Sequence, residues 1–282
     1  MIAPARLLSL LLLVGLAAGC PPRALLPEVR EMSPEEARLR LEREGMRRVR
    51  MSGLLRARMT GLEGLLASAD VDVVLESPAR VFLSVRSFFE QPMYVLATNG
   101  VTVTVLDATA AGGPAFFAGP VDGDALAALL GLDLWPHEAV ALFLGVAPAP
   151  GAEPVKLEID PQAGTYTLAL EEPRGRLSVV TARLEDDALL AWTGYGPEGA
   201  KLFTMRYDEL RPEGDVPFPH RWDLRVFTPD GERGVRFDAK QIEVNGPPAD
   251  PALFRLEAPP GVPVRPLVRG GAAAHHASNP KP

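Results

Sequence analysis

Between Gly53 and Val244 side-chain polarity repeats with a period of two, and that period restricts most of the chain to antiparallel strands. Leu55, Ala57 and Met59 alternate with Leu54, Arg56 and Arg58, and Val71, Val73 and Leu75 bracket Asp72. Val81, Leu83 and Val85 follow Ser77-Pro78, and Tyr94 and Leu96 follow Gln91-Pro92. Asn99-Gly100 is a hairpin signal leading into 101–105, with valine on one face and threonine on the other. Strands resume at 155–159, 165–170, 177–183, 189–195, 202–207, 219–228 and 235–244. Gly164, Gly175, Pro229-Asp230-Gly231 and Asn245-Gly246 supply several of the turns.

Helical signals precede this pattern and interrupt it once, midway. Ser33 is placed as an N-cap, with Pro34 at the first helical position and Glu35 and Glu36 in the first turn. Arg47, Arg48 and Arg50 close the segment, where the helix dipole favours cations. Glu36 with Arg40 and Glu44 with Arg48 have ion-pair spacing, and the polar bulk predicts a helix lying across another surface. Midway, Asp122 and Asp124 cap a short helix through Leu126, Leu129 and Leu130. A second helix runs from Trp135-Pro136 through Val140 and Phe143 to Gly145, a good C-terminal stop.

The expected fold class is mainly β with a few helices (α+β): an unclosed antiparallel half-barrel of about eleven strands in one up-and-down order. A sheet of that size must curl, and its concave face must be covered or filled. The inserted helices are the expected cap.

Residues 1–20 fix the expected destination. Arg6 precedes an apolar stretch, 7–16, that is too short to span a bilayer. Ala17, Ala18 and Gly19 then lead to Cys20, the single cysteine. Leu16-Ala17-Ala18-Gly19-Cys20 resembles the lipobox of bacterial lipoproteins, which implies cleavage after Gly19 and a lipid on the Cys20 thiol. The domain boundaries that follow are a signal peptide at 1–19, a lipidated tether at 20–32, the folded domain at 33–257 and a Pro/Gly/Ala-rich tail at 258–282, expected to be disordered.

Composition narrows the function classes. The formal charge of −7 becomes −8 once 1–19, carrying Arg6, is removed, which argues against nucleic acid as a partner. With one cysteine no disulfide forms within the chain, and 47% hydrophobic residues suffice for a packed core. His275 and His276 sit in the tail, while His137 and His220 lack ligand-spaced neighbours. Asp186-Asp187 and Glu171-Glu172 read as solvated turn acids. Gly194-Tyr195-Gly196-Pro197 opens no helix, and there is no Gly-x-Ser-x-Gly elbow. The expectation is a protein that is not an enzyme, with no cofactor and no metal.

Several runs resemble the lipoprotein-carrier family that includes LolA and LolB. They are 52–57 (SGLLRA), 79–94 (ARVFLSVRSFFEQPMY), 124–132 (DALAALLGL) with 138–145 (EAVALFLG), and the late Arg206-Tyr207, Pro217-Phe218-Pro219 and Trp222-Asp223-Leu224. The likeness extends over roughly 33–257 and is nearest to the wider LolB-like set. It implies an open half-barrel with a helical lid and a slot for hydrocarbon chains. It also implies that Phe88 and Phe89, on the loop between two strands, touch the membrane or an incoming lipid. Val81, Leu83, Tyr94, Leu96, Leu126, Leu130, Leu142, Phe143 and Trp222 are the candidate lining, or alternatively members of a filled core. Pro21 after Cys20, where aspartate is absent, argues by family analogy against inner-membrane retention.

The leading expectation is a lipoprotein tethered to the outer membrane and facing the periplasm. It would bind lipid or acylated protein, receive it from a periplasmic carrier and deliver it to the membrane. The alternatives are a structural or assembly accessory with a filled core acting through a surface partner, and a sensor of envelope state.

Overall fold

The computed structural model describes residues 31–60, 68–87, 89–121, 134–148, 151–173, 175–228 and 231–267. A first antiparallel meander contains β1 (Arg50–Thr60), β2 (Ala69–Glu76), β3 (Arg80–Arg86), β4 (Pro92–Thr98), β5 (Thr102–Asp107) and β6 (Ala115–Pro120). A second contains β7 (Glu153–Asp160), β8 (Thr165–Glu172), β9 (Arg176–Arg183), β10 (Leu189–Tyr195) and β11 (Lys201–Asp208). After a separate small hairpin of β12 (Arg211–Glu213) and β13 (Val216–Phe218), it continues with β14 (Arg221–Thr228) and β15 (Gly231–Val244). A last strand, β16 (Val264–Pro266), lies parallel to β6.

Among the described residues the main sheet has fourteen strands rather than about eleven, and its order corrects the single up-and-down path. It runs β16-β6-β5-β4-β3-β2-β1-β15-β14-β11-β10-β9-β8-β7, so the meanders meet at β1 and β15 and end at edges far apart. Met51 faces Val244 and Ala57 faces Phe237 across that junction, with a register shift between Leu54 and Leu55. Gly53 permits the close approach there. A Cβ at this position would fall 2.1 Å from the Gln241 carbonyl oxygen, a backbone atom that cannot swing aside. β6 escaped the period-two reading because Ala115, Phe116 and Phe117 are all buried, so both of its faces are apolar there.

α1 (Pro34–Gly45) begins as expected: the Ser33 hydroxyl accepts the Glu36 N–H at 3.1 Å, and Pro34 starts the first turn. Its buried stripe, Ala37, Leu41, Glu44 and Gly45, meets β7 and β8. The Glu44–Arg48 pair forms at 2.9 Å. Arg40 reaches past Glu36 instead. Its Nε donates to Asp187 Oδ2 at 3.0 Å and its Nη2 to the Leu184 carbonyl at 3.1 Å. Asp187, expected as a solvated turn acid, also accepts the Tyr166 hydroxyl at 2.9 Å and so ties the helix to the sheet. Ser33→Ala is expected to lower stability by about 1 kcal/mol, read from urea denaturation, because one helix-end donor loses its acceptor.

The segment after β15 does not leave the protein at 257. Pro251–Phe254 makes a 3-10 turn against β3 and β4, and Phe254 is 1% exposed, burial worth about 2–3 kcal/mol. The Arg80 guanidinium lies 5.7 Å from the Phe254 ring centroid. The Ala249 N–H donates to Glu76 Oε1 at 2.8 Å and the Leu256 N–H to Thr104 Oγ1 at 3.2 Å. This strap crosses the outer face of the first meander, where Val95, Ala97 and Phe116 are buried. β16 then covers the β6 edge. At the opposite edge, exposed Glu153, Lys156, Glu158 and Asp160 blunt β7 against pairing with another chain.

Elsewhere the outer face is ionic. Arg56 and Lys240 both bind Asp70, at 2.6 and 2.7 Å, and together hold its carboxyl below the usual range. Arg58 and Arg221 share Asp238 at 2.9 and 2.7 Å. Cross-strand charge pairs of this kind mark a solvated surface, so the apolar residues of these strands turn to the other side.

Candidate functional site

The inner face is an apolar wall formed in register across both meanders. Met51, Leu55, Val73, Leu75, Val81, Leu96, Val103 and Val105 continue through Trp222, Leu224, Met205, Phe203, Trp192, Val180 and Leu168 in one buried cluster. α2 (Pro136–Leu144) lies on this wall. It opens with the Trp135 N–H donating to Glu138 Oε2 at 2.6 Å and closes at Gly145, whose left-handed φ of 63° suits a residue without Cβ.

Four polar anchors hold α2. The Tyr207 hydroxyl donates to the Leu142 carbonyl at 2.8 Å, and Trp222 Nε1 donates to the Phe143 carbonyl at 3.0 Å. Arg176 pairs with Glu138 at 3.1 Å near the helix start. Arg48 Nη1 donates to the Gly145 carbonyl at 2.6 Å while Nη2 holds Glu44, linking the C-terminal ends of α1 and α2. Each anchor satisfies a helix-end carbonyl or a buried charge that would otherwise be orphaned. Burial pushes the Tyr207 phenol up and the Arg48 guanidinium down from their ordinary values.

Burial along the wall is uneven. The β2–β3 and β4–β5 turns lie at one end of the sheet, and toward that end Met51, Leu75, Val81 and Leu96 are buried. The β3–β4 turn and the C-terminal end of β1 lie at the other. Toward that end Ala57, Val85, Tyr94, Val235 and Phe237 are half-buried, and Met59 is 44% exposed. Phe143 meets Phe237 edge-to-face at 5.3 Å between these regions.

Seven of the expected lining residues belong to this wall or its helix. Val81, Leu96, Leu142 and Trp222 are buried in the cluster, and Leu83, Tyr94 and Phe143 are partly buried against it. Leu126 and Leu130 lie outside the described residues, as do Phe88 and Cys20. Phe89 sits in the β3–β4 turn and is 81% exposed. The Ser87 hydroxyl shapes that turn by accepting the Phe89 and Gln91 N–H groups at 3.3 and 3.2 Å. Phe89 therefore projects at the end where the wall is half exposed.

Sequence reasoning missed the anchors Arg48, Tyr207 and Arg176, and it missed Asp107. The last closes a strand of alternating valine and threonine, so its place on the valine face was the available signal. Among the described residues no cluster of three or more His, Cys, Asp or Glu is arranged to hold a metal ion, and no helix is long and apolar enough to cross a membrane.

No protein-family model and no curated protein sequence matches the chain. Solved structures do share its fold. A LolA superfamily protein from Nitrosomonas europaea superposes with a TM-score of 0.55 at 13% identity, covering 78% of this chain and 97% of that one. A structure described as an outer membrane lipoprotein-sorting protein domain from Vibrio parahaemolyticus gives a TM-score of 0.53 at 9% identity, covering 79% and 97%. The fold is LolA-like: a large unclosed, mainly antiparallel sheet with helices.

Proposed function

We propose that this LolA-like domain is a lipid-anchored carrier that takes lipid or acylated protein onto its inner wall and passes it to a membrane through the Phe89 turn. The observation that carries this reading is the gradient of burial along the wall. Along β1, β3 and β4 the inward apolar side chains are sealed at one end and half exposed at the other, beside an aromatic ring 81% exposed. Half-exposed Tyr94, Phe237 and Val85 offer acyl chains a surface to cover, at about 0.8 kcal/mol for each methylene withdrawn from water. An exposed phenylalanine at a loop tip suits insertion at a lipid interface. Phe88, beside it in sequence, belongs to the same proposed contact.

In this reading Cys20 carries the lipid, the tether 20–32 keeps the domain within reach of the outer membrane, and the domain faces the periplasm. The likeness to lipoprotein-sorting structures supports that setting. The inner wall binds chains without bond-making chemistry, so the role needs no catalytic residue.

The test is direct. The chain from residue 20 carrying Cys20→Ser, purified and extracted, is expected to release long-chain amphiphiles visible by mass spectrometry. Phe89→Ser is expected to slow lipid transfer between vesicles several-fold with stability unchanged to within about 0.5 kcal/mol, as for other exposed sites. Unchanged transfer removes the turn from the mechanism.

One observation favours a second reading, a tethered accessory with a filled core. Val81, Leu96, Leu142 and Trp222 all pack within a single buried cluster. A lipid-free extract that takes up no amphiphile would select it.

A further inference from the structure

We propose that Asp107 and Tyr94 form a polar subsite on the inner wall that receives the ammonium head of an amphiphile. The inference rests on the carrier reading and deepens it by naming the ligand's head group. Register places Tyr94 directly opposite Asp107, on the face that carries Leu96 and Val105. Their other neighbours across the ladder are Val85 and Ala115, both apolar. A carboxylate and a phenol thus interrupt a hydrocarbon surface near the end where it is half exposed.

Asp107 is 5% exposed, and only one of its oxygens is committed. Oδ1 accepts the Thr109 N–H and hydroxyl, each at 2.8 Å, within the β5–β6 connection. Among the described residues no hydrogen bond or ion pair engages Oδ2 or the Tyr94 hydroxyl, and neither atom is among the buried polar atoms sealed from solvent without a partner. The Asp107 carboxylate lacks a counter-charge among the described residues, and a cation that reaches its solvent-touching oxygen supplies one. An ammonium meets the need twice over. It donates charge-assisted hydrogen bonds to Oδ2 and lies beside the face or hydroxyl of Tyr94. Its alkyl chain would then run along Leu96 and Leu83 toward the sealed end.

Calorimetric titration of the full chain from residue 20, carrying Cys20→Ser, with dodecylamine and with dodecanol tests the assignment. At neutral pH, with both probes below micelle-forming concentrations, the amine is expected to bind about tenfold more tightly than the alcohol. Asp107→Asn keeps the Oδ1 acceptor for Thr109, so the turn survives. It is expected to abolish that preference while leaving dodecanol binding unchanged. Tyr94→Phe is expected to reduce the preference in part.

Equal binding of the two probes by the unmodified chain overturns the subsite and leaves the carrier reading standing. Equal loss of both probes in Asp107→Asn does the same, because it marks Asp107 as structural only. Binding of neither probe overturns both proposals. The comparison of probes on the unmodified chain does not depend on any variant folding.

Discussion

Trp222→Ala is expected to lower the unfolding free energy by about 3–5 kcal/mol, the range for removing a large aromatic from a close-packed core. Trp222 is 0% exposed, stacks edge-to-face on Phe218 at 6.1 Å and donates to the Phe143 carbonyl. Its removal therefore leaves a cavity where sheet and α2 meet, together with an unsatisfied carbonyl. Surrounding strands cannot collapse into the space, since β11 and β15 hold β14 in register on both sides. For a domain of this size the loss corresponds to roughly 10 °C in melting temperature. Trp222→Phe separates the two contributions. It keeps most of the ring but not the N–H, and is expected to cost about 1–3 kcal/mol, the penalty for an orphaned buried acceptor. Urea denaturation of both variants measures the difference. A loss below 1 kcal/mol for Trp222→Ala would mean that α2 is not seated on this residue.

Arg48→Met is expected to cost about 3 kcal/mol, the lower end of the range for breaking a buried ion pair from one side. Arg48 is buried, and its two terminal nitrogens serve Glu44 and the Gly145 carbonyl. Methionine fills the space of the alkyl stem but strands a buried carboxylate and a helix-end carbonyl. Arg47 also reaches Glu44, at 2.8 Å, which is why the lower end applies. Adding Glu44→Leu to Arg48→Met removes the stranded charge and is expected to recover most of the loss, because an apolar pair of similar volume often matches or exceeds a buried ion pair. A double variant no better than Arg48→Met would show that the bond to Gly145, rather than the charge pair, ties the two helices together. Both effects report on the helix seated on the inner wall, so in the carrier reading either variant is also expected to alter amphiphile uptake.

Local signals were legible wherever the interaction closes within a few residues. The Ser33 cap, the Gly145 stop, the hairpin at Asn99-Gly100 and the alternation in β1, β2, β3 and β5 all depend on neighbours in sequence, and all stand as read. The partners of charges were less legible. Arg40 chose Asp187 over Glu36 because a turn between two distant strands brought a half-buried carboxylate to the helix. In the candidate site, apolar identity marked seven residues that do share one wall or its helix, and the turn residue Phe89 was readable as a loop-tip aromatic.

What the sequence by itself determined, then, is a chain of alternating strands with two capped helices and an aromatic turn, because period and capping are properties of the adjacent backbone. Only the tertiary structure decided that β1 and β15 join the two meanders. That junction pairs Met51 with Val244, and nothing local to either residue names the other. The same holds for the strap, whose Phe254 finds the outer face of β3 and β4, and for β16, which pairs with β6 although its composition reads as a tail. It holds for Asp107 as well, since alternation gives a residue its face, but burial depends on which strands and loops arrive to cover it.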